Sequence, residues 1–273
     1  MKRYRKFDII TNILVALLSL LVIIPIVTVL LGSLKTVNEA ELVRFSLPAK
    51  PLWGNFAVAA KVGKLGRSFF NSMLIATVCC AVSLITASMA GFVMSRRKSR
   101  FNRALYIYFI LGLIAPVNMV TVVQVMKSLG LLGTMSGYLL YYSASLLAFS
   151  VFMFYGYLAS VPVSLDESAV LDGAGALRIY WQIILPLLKP ILITLLFINF
   201  MNAWNEFIAP LYLVNNSRLW PMTLAVFNFI GMYRSEWNYI FADVILTCLP
   251  VVIVYLIGQK YIVKGMSAGA VKG

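Results

Sequence analysis

Six long apolar runs, separated by short polar and basic stretches, order this chain from end to end: about 8–32, 69–94, 104–123, 137–160, 189–214 and 240–262. A helix needs about 20 mostly apolar residues to cross a bilayer, so the pattern predicts six transmembrane helices. The expected fold is an all-α integral membrane protein forming a single membrane domain over 1–273, without a soluble domain or internal repeat. The first run has a basic flank like that of a signal peptide. Its apolar core exceeds about twenty residues and no A-x-A-like cleavage site follows, which predicts a retained anchor. Pro25, Pro116, Pro210 and Pro250 interrupt the runs, and each removes a backbone hydrogen bond that must be replaced. Ser83, Ala87 and Gly91 recur every four residues in the second run. Small side chains at that spacing let helices approach closely, so a packing seam is expected there.

Composition fits the same solvent. Of 273 residues, 62% are apolar and 12% charged, against roughly 25% charged in a soluble domain. The net charge of +14 matters through its placement. Lys2, Arg3, Arg5 and Lys6 flank the first run, and Arg96, Arg97, Lys98, Arg100 and Arg103 separate the second from the third. Basic residues in short loops beside spans mark the cytoplasmic side and face anionic lipid. Fourteen of the 23 Lys and Arg fall on that side; of the nine opposite, six are diluted over 33–68. Both termini are therefore expected in the cytoplasm, with lipid rather than nucleic acid as the partner of this charge.

The chemistry that remains is sparse. There is no histidine, and Cys79, Cys80 and Cys248 lie inside apolar runs, so no metal-ligand set or His-based nucleophile can be assembled. No cofactor is expected. Gly63-Lys64 is followed by Leu65, which breaks the G-x-x-x-x-G-K-[ST] phosphate loop, and Gly173-Ala174-Gly175 lacks the third glycine of a dinucleotide motif. The chain is expected to be neither an ATPase nor another enzyme.

The segment 164–186, SLDESAVLDGAGALRIYWQIILP, is the most informative. Ser164 and Glu167 have the spacing of a capping box, and Asp166 and Glu167 put negative charge in a first helical turn, where the dipole favours it. Gly173 and Gly175 then predict a stop after two turns. Leu177, Tyr180, Trp181 and Ile184 form an apolar stripe at i, i+3, i+4 and i+7, before Pro186 and Pro190 lead into the fifth run. A loop that merely joined two spans would not need this construction.

Glu167-Ser168-Ala169, Asp172-Gly173-Ala174 and Ile183, Leu185 and Pro186 resemble the EAA loop of ABC importer permeases, with Ser168 replacing the usual first alanine. The tail from Gln259 to Gly273 is similar to the ending of the maltose-type permease subunit that lacks extra N-terminal helices, and Trp204-Asn205-Glu206-Phe207 resembles the same carbohydrate group. The resemblance implies a binding-protein-dependent importer of a sugar or oligosaccharide. It implies a cytoplasmic coupling helix between the fourth and fifth spans, with Glu167, Ala169, Asp172, Gly173, Ile183, Leu185 and Pro186 as its coupling residues. It also implies a second permease subunit as heterodimer partner, two ATP-binding cassette subunits and an external solute-binding protein. Closure of the ATPases would move the docked helices as rigid bodies and rock the spans between outward- and inward-facing states.

Intramembrane polar groups are functional candidates because they are costly in lipid. Asn199, Asn202 and Glu206 fall within about 60° of one another on a helix, beside Trp204 and Asn205, while Asn118 and Gln124 in the third run could face the same space. Such groups either line a sugar path or join helices by hydrogen bonds; the pattern alone supports both. Asp243 falls near the outer end of the last run, where an interfacial position would explain it. An importer for another solute remains the nearest rival. An ion-driven secondary transporter would be expected to show paired repeats and several central acids.

Overall fold

The apolar runs become helices whose ends and breaks are set by proline and by capping side chains. The computed structural model describes residues 2–231 and 235–270, with side chains over 11–231 and 235–261. The side chains of Lys2, Arg3, Arg5 and Lys6, and those of the tail motif from Ile262 onward, lie outside that range. Every helix-length element among the described residues is helical: α1 (Lys2–Ser33), α2 (Val37–Glu41), α3 (Gly54–Val62), α4 (Leu65–Arg96), α5 (Arg100–Ile114), α6 (Met119–Ser128), α7 (Met135–Leu158), α8 (Ser164–Leu171), α9 (Ala176–Ile179), α10 (Leu185–Leu187), α11 (Lys189–Asn205), α12 (Ile208–Leu213), α13 (Met222–Ala225) and α14 (Trp237–Ala270).

Among the described residues, four helices are long and apolar enough to cross a membrane: Thr11–Ser33, Leu65–Arg96, Met135–Leu158 and Trp237–Tyr261. A fifth is added if Ala176–Leu187 and Lys189–Asn205, bent by 75°, count as one span. The sequence read the third run, 104–123, as one continuous helix; it is two. Ala115 leaves the helix at φ −67 and ψ 129 because the residue before a proline is pushed out of the helical region. Asn118 then caps α6, its side-chain oxygen accepting from the backbone N–H of Val120 at 3.0 Å and of Thr121 at 3.3 Å.

The fifth run, 189–214, breaks too, between Asn205 and Ile208. Pro210 has no N–H to give the carbonyl of Glu206, four residues earlier. That carbonyl accepts instead from the Thr223 hydroxyl at 2.8 Å, while Glu206 Oε1 accepts from the N–H of Ala209 at 2.9 Å. Pro25 and Pro250, by contrast, stay inside α1 and α14.

Two compact units are present, Met1–Gly66 with Ala225–Leu249, and Arg67–Leu224 with Pro250–Gly273. In the first, Lys35 is buried and its ammonium donates to the Arg44 carbonyl at 2.8 Å and the Ser46 hydroxyl at 3.0 Å. Asn55 Nδ2 ties the carbonyls of Ser33 and Lys35. Thr36 and Glu39 close a capping box at the start of α2. In the second unit, the seam of Ser83, Ala87 and Gly91 packs α4 on α7: Ser83 and Ala87 are buried, and a Cβ on Gly91 would sit 3.1 Å from Phe154 Cβ. Around it, Leu84, Phe154, Leu158, Ile184, Leu188 and Leu195 form a buried core.

Candidate functional site

Segment 164–186 folds as a two-turn helix with a sharp stop, and the sequence placed both correctly. The capping box expected of Ser164 and Glu167 is not formed. Ser164 is the first helical residue, the cap position is Val163, and no side chain caps it. The carbonyl of Val163 takes the N–H groups of Asp166 and Glu167 instead. At the other end, Gly173 has φ +78, its N–H bonds Val170 O at 3.0 Å, and the Ala174 N–H bonds Ala169 O at 2.9 Å. These paired bonds make a Schellman stop, which needs a left-handed residue; glycine adopts that conformation without steric cost.

Only one side of α8 meets the protein. Ala169 is buried with Met94, Leu158 and Val161, whereas Val170 and Leu171 are exposed, Leu171 at 88%. Glu167, Asp172 and Gly173 are exposed. Ser168, the departure from the family pattern, is exposed too, and its hydroxyl turns back onto Ser164 O at 2.9 Å. It therefore occupies the alanine position without loss of packing.

The apolar stripe expected of Leu177, Tyr180, Trp181 and Ile184 divides. Tyr180 and Ile184 are buried, but Leu177 and Trp181 are more than half exposed. The cause is a π turn over Tyr180–Ile184, closed by Leu185 N–H on Tyr180 O, because Pro186 next door cannot continue the ordinary ladder. The widened turn moves the inward register to Ile179, Tyr180, Ile184 and Leu188, and the Tyr180 hydroxyl meets Ser88 Oγ at 2.7 Å. Ile183 and Leu185 are half-buried against this core; Pro186 is exposed.

Sequence reasoning misses Arg96, which the charge pattern reads only as topology-setting. Its Nε lies 2.5 Å from Asp166 Oδ2, and both side chains are nearly buried. Nothing in a linear pattern pairs residues 70 positions apart.

The polar stripe on α11 also divides. Asn202, Asn205 and Glu206 line a cavity of about 570 Å³ together with Tyr141, Tyr142, Ser145 and apolar neighbours that include Val117 and Met119. Asn199 is elsewhere: it is buried, and its Nδ2 donates to Ser150 Oγ at 3.0 Å and Ser83 Oγ at 3.5 Å. It joins α11 to α7 and α4. Trp204 does not face the cavity either. It is 1% exposed, stacked on Phe200 at 5.8 Å and edge-on to Phe69 at 5.7 Å. Asn118 spends its side chain on capping α6, and Gln124 is exposed on α6 outside the cavity lining. Asp243, expected at an interface, is 2% exposed in α14.

The cavity can hydrogen-bond hydroxyl groups through Asn and Glu while offering tyrosine rings to C–H faces. Among the described residues no group of three His, Cys, Asp or Glu could hold a metal ion.

Residues 83–268 match the family described as binding-protein-dependent transport system inner membrane component. The chain is 35% identical over 261 residues to the multiple sugar-binding transport system permease protein MsmG of Streptococcus mutans, covering 93% of each chain. It is 34% identical over 257 residues to the probable starch degradation products transport system permease protein AmyC of Thermoanaerobacterium thermosulfurigenes, again covering 93% of each. It is 30% identical to the melibiose/raffinose/stachyose import permease protein MelC of Bacillus subtilis over 99% of both. Its fold is similar to that of a bacterial ABC transporter that imports alginate, with a TM-score of 0.81 at 22% identity, covering 94% of this chain and 96% of that one.

Proposed function

Because the chain belongs to the inner membrane component family of binding-protein-dependent transport systems, and is thus a multi-pass membrane protein of an importer, we propose that it is a permease subunit for a sugar or oligosaccharide. One observation carries the substrate class: nearly the whole chain aligns with permease proteins whose names specify sugars. The cavity lined by Tyr141, Tyr142, Asn202, Asn205 and Glu206 supports it.

In this reading the chain makes six crossings and works as one transport domain, with α5 and α6 sharing the third crossing and α11 and α12 the fifth. The length of runs 104–123 and 189–214 supports the count. Both termini and the loop 164–186 face the cytoplasm, supported by the basic residues at 96–103. The loop docks on one of two ATP-binding cassette subunits through Glu167, Asp172 and Gly173, while Ala169, Ile183 and Leu185 pack its inner side against the spans and Pro186 leads into the fifth. A second permease subunit completes the membrane pair, and an external binding protein delivers the solute. ATP is hydrolysed on those partners and not on this chain.

The test is uptake by proteoliposomes holding the whole importer, supplied with labelled maltotriose, raffinose, diacetylchitobiose or an arabino-oligosaccharide. One of these is expected to accumulate with ATP and only when this chain is present. Asn202→Ala and Glu206→Gln should each reduce uptake by roughly fivefold, the effect of losing about 1 kcal/mol of hydrogen bonding, with assembly intact. The glutamine keeps an oxygen for the Ala209 N–H, so the break in the fifth run survives. Accumulation of an amino acid and of none of the sugars would overturn the substrate class.

A further inference from the structure

We propose that Arg96 and Asp166 form a positioning pair that holds α8 in register with the ends of α4 and α7, so that motion of α8 reaches both helices together. This deepens the reading of 164–186 as the coupling loop and rests on it.

The geometry is that of a clamp. Arg96 is in the last turn of α4, and its Nε meets Asp166 Oδ2 at 2.5 Å in the first turn of α8. Its Nη1 donates to Val161 O at 3.2 Å and more weakly to Leu158 O at 3.4 Å. Leu158 is the last residue of α7, where helix carbonyls lack partners within the helix. One guanidinium therefore contacts three elements, which its rigid fork of donors permits and a lysine ammonium on a flexible stem does not. The pair is 12% and 13% exposed. Arg96 Nη2 and Asp166 Oδ1 are also buried, without a partner among the described residues. Loss of either residue would strand the other charge with little water to solvate it.

Little else sets the register of α8. Eight residues are too few for a stable isolated helix. The only buried side chain on it is the small Ala169. Successive residues on a helix point about 100° apart, and the two adjacent acids diverge accordingly: Asp166 turns inward to Arg96, while Glu167 stays exposed. Asp166 thus fixes the helix to its own chain and leaves Glu167 on the outer side for a partner. A hydrophobic contact alone would allow α8 to roll; a short charged contact to one end of α4, joined through the same side chain to α7, does not.

The experiment uses the whole importer in proteoliposomes, with the sugar selected by the uptake panel. It reads ATPase co-purification and the number of ATP molecules hydrolysed per sugar accumulated. Arg96→Gln and Asp166→Asn should each keep the ATPase bound and raise the ATP cost per sugar by about tenfold, because the surviving charge is left unpaired. The double variant should be no worse than the worse single one, as expected for two residues that act through one contact. Arg96→Lys, which keeps the charge but not the fork, should fall between. If Arg96→Gln does not reach the membrane, Asp166→Asn, which preserves side-chain shape, carries the test. Wild-type cost per sugar in both single variants, or additive losses in the double, would overturn the proposal. Gly173→Asp separates the two readings. If it uncouples the importer while Arg96→Gln and Asp166→Asn do not, the pair's role fails and the coupling loop stands; if it too behaves as wild type, the loop reading itself fails.

Discussion

Gly173→Asp is expected to abolish sugar uptake while leaving the chain inserted and folded. Position 173 is exposed, and a Cβ built there meets nothing within 4 Å, so no internal packing is disturbed. The backbone at φ +78 disfavours most side chains, but aspartate and asparagine enter the left-handed region more readily than others. Strain within this chain is therefore small, and the damage expected from the proposed docking is that of a charge on the surface offered to the ATPase. Loss of a central interface position costs about 3 kcal/mol, roughly a hundredfold in affinity. The ATPase should be lost on purification, and hydrolysis stimulated by loaded binding protein should vanish. Gly173→Asn is the control: it shares the backbone cost without the charge and should retain much of the activity. Glu167→Lys should weaken docking as well. It reverses any anchoring contact and opposes the dipole at the start of α8, which alone costs about 0.3–1 kcal/mol. Wild-type ATPase binding and stimulation by Gly173→Asp would reduce the segment to a connector.

Trp204→Ala is expected to produce the largest loss of stability, and the loss should precede any effect on substrate choice. Truncating a buried tryptophan costs about 3–5 kcal/mol through lost contacts and the cavity left behind. Helices in lipid depend on close packing because the bilayer supplies no hydrophobic drive between them. Trp204 fills the space between Phe69 on α4 and Phe200 on α11. The thermal midpoint of the detergent-purified importer should therefore drop well below wild type, and Trp204→Phe should recover part of it. A Trp204→Ala importer with unchanged midpoint and altered sugar preference would return this residue to the solute path.

The division between what the sequence revealed and what it concealed follows contact range. The apolar runs, the seam of Ser83, Ala87 and Gly91 and the two-turn helix ended by Gly173 depend on neighbours within a few positions, so local pattern identifies them. Pro116 and Pro210 marked where two runs fail, but the partner that accommodates the second break, Thr223, lies 17 residues from Glu206. The capping spacing at Ser164 and Glu167 describes what two side chains could do. At Thr36 and Glu39 the same spacing closes; at the start of α8, Asp166 is drawn to Arg96 and the cap is left to backbone alone. The polar stripe on α11 was a sound reading of helical phase. It could not say that α4 and α7 would cover Asn199 with Ser83 and Ser150 while leaving Asn202 and Glu206 on an open cavity.

The most direct test of the coupling loop is a contact measurement at Leu171, which is 88% exposed at the tip of α8. A photo-reactive amino acid at this position, illuminated in intact membranes containing the whole importer, is expected to cross-link to the ATP-binding cassette subunit. The yield should change when ATP and loaded binding protein are added. Because that subunit is cytoplasmic, the same product fixes the side of the membrane on which 164–186 lies. Cross-linking to the external binding protein would contradict both the orientation and the coupling role, and cross-linking to lipid alone in every state would contradict the coupling role.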